Sequence, residues 1–187
     1  MQRTKWSLIF SAILVEMFLM GCAGAWAQNN AAQSESAPDV PDAIAVPAGL
    51  DPVLFVHASG SQVYTCKSGA DGKFSWILKE PEAELKDRKD KVIGQHLAGP
   101  TWKLNDGSAV TGKMQAQVPS LDEDSVAWLL VNVVTNSGKG QLAKVTAIQR
   151  VHTHGGKPAA SDVCDEAHKD TETKSKYTAD YYFFAPK

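Results

Sequence analysis

The sequence predicts one all-β domain, a sandwich or barrel-like fold of about nine short strands, and three observations carry that expectation. β-Branched and aromatic residues recur in short runs from Pro47 onward. Gly, Asn, Asp and Pro separate those runs, the residues that reverse a chain. Only one stretch, Pro81–Asp87, has a helical look, with a proline at its start and Glu82 and Lys86 at the i, i+4 spacing.

Taken in order, the predicted strands are Val53–Ala58, Gln62–Cys66, Phe74–Leu78, Val92–Ala98, Thr101–Leu104, Ala109–Val118, Val126–Val134, Lys144–Thr153 and Thr178–Phe184. Turns are expected at Ser59-Gly60-Ser61, Ala70-Asp71-Gly72, Asn105-Asp106-Gly107 and Ser137-Gly138-Lys139-Gly140, all of which tolerate positive φ. Val126-Ala127-Trp128-Leu129-Leu130-Val131 is apolar on both faces and reads as a central strand with Trp128 in the core. Val145, Ala147, Gln149 and Val151 oppose Thr146, Ile148, Arg150 and His152, a looser alternation with one face on the core. Gly155–Lys176 is almost without apolar content and reads as a long polar loop before the last strand.

Upstream of the domain, Arg3 and Lys5 precede an apolar run from Trp6 to Met20, interrupted at Glu16. This is the layout of a secretory signal over residues 1–27, and the run is too short and too polar for a spanning helix. Two exits are written there. Leu19-Met20-Gly21-Cys22 resembles a lipobox, which would make Cys22 the lipidated N-terminus, and Ala25-Trp26-Ala27 suits ordinary cleavage before Gln28. Residues 28–46, rich in Ala, Gln, Asn, Ser, Asp and Pro, read as a disordered tether to a domain spanning 47–187.

Export leaves Cys66 and Cys164 in the folded part, and two cysteines in an oxidising compartment most simply form a disulfide. Closing a loop of about 98 residues stabilises a chain by roughly 4 to 5 kcal/mol in the chain-entropy account. A net charge of −2 argues against nucleic acid as a partner, because the one dense basic stretch, Lys86–Lys91, is interleaved with Asp87 and Asp90.

A succession of short motifs then points to a family. Gly60-Ser61-Gln62-Val63-Tyr64-Thr65-Cys66, Phe74-Ser75-Trp76, Gly94-Gln95-His96-Leu97-Ala98-Gly99-Pro100-Thr101-Trp102, Asp106-Gly107-Ser108, Trp128-Leu129-Leu130, Gln149-Arg150-Val151-His152-Thr153-His154-Gly155-Gly156, Cys164 and Tyr177-Thr178-Ala179-Asp180-Tyr181-Tyr182-Phe183 occur in that order. Over about Pro47 to Phe184 the chain resembles domain-of-unknown-function family 3455. The resemblance implies a secreted or lipid-anchored protein and no established activity. Some similar fungal sequences carry a malate-dehydrogenase label, but no strand, Gly-x-Gly-x-x-Gly turn and helix stands here to hold a dinucleotide, and no cofactor is implied.

Few residues could carry chemistry. His96, beside a Gly-Pro turn and Trp102, is a candidate for ligand contact or acid–base work, with a hydrogen-bonded core histidine as the bland alternative. Asp106 and Asp180 are candidate acids for it, whereas Ser108 reads as a turn residue and no nucleophile motif occurs. Tyr64 and Trp102 are candidate ligand contacts among aromatics, including Trp76, Tyr177, Tyr181 and Tyr182, that either line a groove or fill the core. His152 and His154, two apart on a strand, could share a metal if His57, His168, Asp162 or Asp165 supplied a third ligand; an exposed strand end is the alternative.

Three functions follow in order of preference. The first is a non-enzymatic binding or structural module of the cell envelope, held at the outer membrane or in the periplasm by a lipid on Cys22, or else secreted, its small-molecule or glycan ligand unnamed by the sequence. The second is a small hydrolase using His96 and an acid. The third is a metal-binding envelope protein using His152 and His154.

Overall fold

The computed structural model describes residues 35–187. The expected all-β domain is a closed barrel of eight antiparallel strands, each hydrogen-bonded to its sequence neighbour and the last to the first. They are β1 (Leu50–Ser68), β2 (Phe74–Lys86), β3 (Val92–Leu97), β4 (Thr101–Leu104), β5 (Ala109–Val118), β6 (Trp128–Ser137), β7 (Ala147–Gly155) and β8 (Glu172–Pro186). Closure removes every sheet edge where strands are paired, so an inside and an outside replace the two faces of a sandwich. Val56, Leu85, Leu104, Val131, Ile148 and Phe183 point inward and are buried together. Glu82, Glu84, Gln95 and Lys103 are exposed on the outer wall between them. Among the described residues no helix is long and apolar enough to cross a membrane.

The strand count falls from nine to eight because Ser59-Gly60-Ser61 is not a turn. Val53–Ala58 and Gln62–Cys66 are parts of the single strand β1, which pairs through Gly60 with Ala83 on one side and Tyr177 on the other. A Cβ at Gly60 would lie 2.1 Å from the Glu82 carbonyl oxygen and 2.5 Å from the Ala83 Cα. Glycine stands there to let two strands approach closely, not to reverse the chain.

The helix expected at Pro81–Asp87 is also absent. Pro81, Ala83 and Leu85 are buried while Glu82 and Glu84 are exposed, the two-residue period of a strand, and these residues form the second half of β2. Pro81 lacks an amide hydrogen, and it pairs with Gln62 close to Lys79, the residue skipped where the register of β1 and β2 shifts between Val63 and Tyr64.

The last residues of the segment expected to be a tether pack on the barrel. Asp42–Ile44 form a 3-10 turn, Ile44 is fully buried, and its carbonyl accepts a 2.7 Å hydrogen bond from Gln149 Nε2. The segment covers an apolar patch on the outside of β6–β8, made by Trp128, Leu130, Val151, Tyr182 and Phe184. Trp128 is therefore buried as expected, but against this strap and not inside the barrel. Arg88 adds to the covering: it sits 4.0 Å from the Phe55 ring centroid and hydrogen-bonds Glu35.

The two barrel ends differ. At one, the β6–β7 connection folds inward and buries Leu142 and Val145 as a plug. Asn136 Nδ2 donates to both their carbonyls at 2.9 Å. At the other end, the polar loop proves shorter than expected, because β8 already begins at Glu172. Cys66 and Cys164 are disulfide-bonded with Cα atoms 5.4 Å apart, which fixes the middle of that loop to β1. Trp76 Nε1 donates to the Asp162 carbonyl at 3.0 Å, and Tyr64 Oη to the Gly156 carbonyl at 2.8 Å.

Candidate functional site

Two short strands open the barrel wall. β3 and β4 have six and four residues, against 13 in β2 and 10 in β5. β3 pairs with β2 only over Ala83–Lys86, and β4 with β5 only over Ala109–Thr111. The first half of β2 and the second half of β5 therefore rise past the β3–β4 hairpin without a partner on that side. A window results, with Pro100 of the hairpin at its sill and Leu78, Met114 and Gln117 around it. Leu78 and Met114 are 49% and 52% exposed, so the rim reaches solvent.

Behind the window lies a cavity of 290 Å³, lined by Gln62, Pro81, His96, Trp102, Leu129, Val131, Arg150 and Tyr181 together with the rim. Its apolar walls are ordinary barrel core. Its polar groups are not, because buried polar atoms are almost always hydrogen-bonded. Gln62 is 1% exposed and neither amide atom has a partner; Trp102 Nε1 and Tyr181 Oη are also buried without one. Each such group costs about 1 to 3 kcal/mol unless something supplies a bond.

His96 is held by three contacts. Its Nδ1 lies 3.0 Å from the Thr101 carbonyl oxygen, an acceptor, so Nδ1 carries the proton and Nε2 is left as the acceptor of a neutral ring. The ring stacks on Trp102 with centroids 4.4 Å apart and planes at 10°, and meets Tyr181 edge-on at 5.3 Å. Burial, with the charge of Arg150 adding, lowers its pKa to about 4 against the opposing pull of the Thr101 bond. Trp102 in turn needs Gly112, where a Cβ would stand 2.4 Å from Val131 and 3.2 Å from the indole.

Arg150 is the one formal charge in the lining. Its Nε and Nη2 donate to the Ala127 carbonyl at 3.1 and 2.8 Å, and among the described residues no carboxylate pairs with it. Arg150 and Gln62 escaped sequence reasoning.

The remaining candidates separate. Asp106 is not near His96 in bonding: it accepts from Ser108 Oγ and the Ser108 and Gln141 amides, which hold its carboxyl below the usual range. It organises the plugged end with Ser108, whose Oγ accepts from the Leu142 amide. Asp180 lies on the outer wall, accepting from His57 Nδ1 at 2.8 Å and His152 Nδ1 at 3.0 Å. Neither Asp106 nor Asp180 bonds His96, so the pairing of that histidine with an acid is not assembled. His152 and His154 do not share a site either: a bulge between Val151 and His154, with His152 at φ 48°, turns His152 to Asp180 while His154 faces Ser59–Ser61. His168 pairs with Asp165 at 2.7 Å. Among the described residues no group of three or more His, Cys, Asp or Glu could hold a metal. Tyr64 ties a loop and is not in the cavity, whereas His96 and Trp102 are. Cys22 and both cleavage points lie outside the described residues.

No curated protein and no solved structure matches this chain. A family model described as "Protein of unknown function (DUF3455)" matches residues 47–185, the barrel almost from end to end. The chain belongs to that family.

Proposed function

We propose that this protein is a non-enzymatic binding module of the cell envelope, whose barrel interior takes a small ligand through the window above the β3–β4 hairpin. The observation that carries the reading is that Gln62, Trp102 and Tyr181, each with a buried polar atom lacking a partner, line one open cavity together with the charged Arg150. Concave, mostly apolar sites with a few placed polar groups are the usual form of small-molecule pockets. The signal-like N-terminus and the disulfide support export, and acylation at Cys22 would hold the barrel at a membrane; the mass of the mature N-terminus checks that placement.

Thermal unfolding of the purified protein against small metabolites and short glycans tests the binding. A true ligand at 100 times its Kd adds about 2.7 kcal/mol. Met114→Trp, a bulky change at the exposed rim, is expected to abolish the gain. A panel with no stabilising compound, or a gain that survives in Met114→Trp, argues against an interior site.

A further inference from the structure

We infer that the cavity takes a small organic monocarboxylate, its head against Arg150 and its apolar body along Leu129 and Val131 toward the window. The inference rests on the binding reading above and names its ligand class. A guanidinium stays charged at every accessible pH and is costly to bury alone. Arg150 is only 9% exposed, yet it donates to a carbonyl, that of Ala127, and no acidic residue lines the cavity. A bound anion would supply the missing countercharge.

The lining also selects the size of that charge. His96 is neutral above its lowered pKa and no lysine stands in the lining, so Arg150 offers a single positive charge. A monoanion balances it and a phosphomonoester dianion does not. A carboxylate accepts up to about four hydrogen bonds. Trp102, Tyr181 and Gln62 line the same space as Arg150, and each carries a buried polar atom that no protein group bonds. Planar two-point pairing with a carboxylate is what a guanidinium does best. The cavity, at 290 Å³, lies at the low end of the usual range of about 300 to 1,000 Å³, which suits a compact molecule and not a long lipid or an oligosaccharide.

Calorimetric titration of the full chain with sodium octanoate and with the uncharged octanamide tests this. Octanoate is expected to bind at least about tenfold tighter than octanamide. Arg150→Met should erase that preference by bringing octanoate affinity down to that of octanamide, and a cooperative thermal transition shows that the variant is folded. Met114→Trp should block both probes. Equal affinity for the two probes, a preference that survives in Arg150→Met, or no octanoate binding at millimolar concentration overturns the carboxylate inference and leaves an interior site for another ligand class. Binding undiminished in Met114→Trp overturns the interior site as well. Should Arg150→Met fail to fold, the wild-type ratio of octanoate to octanamide decides alone.

Discussion

His96 shows how one buried side chain links the cavity to pH. In an unfolded chain its imidazole titrates near 6.5, and in the barrel at about 4, so between those values the unfolded state binds the extra proton. The stability due to neutral His96 is full above about pH 6.5 and is lost as pH falls toward and through about 4. A difference of roughly 2.5 units corresponds to about 3 kcal/mol. Urea unfolding of wild type and His96→Gln near pH 7 and near pH 4 checks this: wild type should lose about 3 kcal/mol more than the variant. Parallel losses would contradict it. The His96–Trp102 pair was legible in the sequence because Gly-Pro brings the two onto neighbouring strands. Arg150 was not, since alternation along β7 says that Gln149 and Arg150 face opposite ways without saying which way is in. Here both directions are buried, Gln149 under the Ile44 strap and Arg150 in the barrel.

Among the elements, the connection between β7 and β8 depends most on a single bond. Residues 156–171 carry few apolar side chains, and the Cys66–Cys164 disulfide, the Tyr64–Gly156 contact and the Trp76–Asp162 contact tie them to β1 and β2. Cys66→Ser is expected to lower stability by roughly 2 to 5 kcal/mol, with amide exchange rising first in 156–171. Uniform exchange along the chain, or an unchanged unfolding midpoint, would show that the loop is held by its other contacts. The disulfide was legible because cysteine counting needs no geometry. The β2 helix was misread because Glu82, Glu84 and Lys86 satisfy a two-residue period as well as a four-residue spacing, and only barrel closure decides between them. The strap at Asp42–Ile44 was hidden by its polar, proline-containing surroundings, in which Ile44 alone does most of the burying.

For the whole molecule, chain-order pairing gives a barrel that is plugged at one end, looped over at the other, and open at the side where two strands are short. All-β architecture was readable from strand-and-turn punctuation, but a window made by unequal strand lengths depends on register, which local sequence does not set. The central claim is that this interior is a binding site, and the Trp102 indole is its natural reporter. Of the three tryptophans among the described residues, Trp102 alone lines the cavity, while the Trp76 indole is bonded to Asp162 and Trp128 packs outside the barrel. In a nitrogen-labelled nuclear magnetic resonance titration with octanoate, the Trp102 indole signal should move and saturate while those of Trp76 and Trp128 hold still. A Trp102 signal that stays in place through millimolar octanoate, or moves only together with every other indole, would contradict the account.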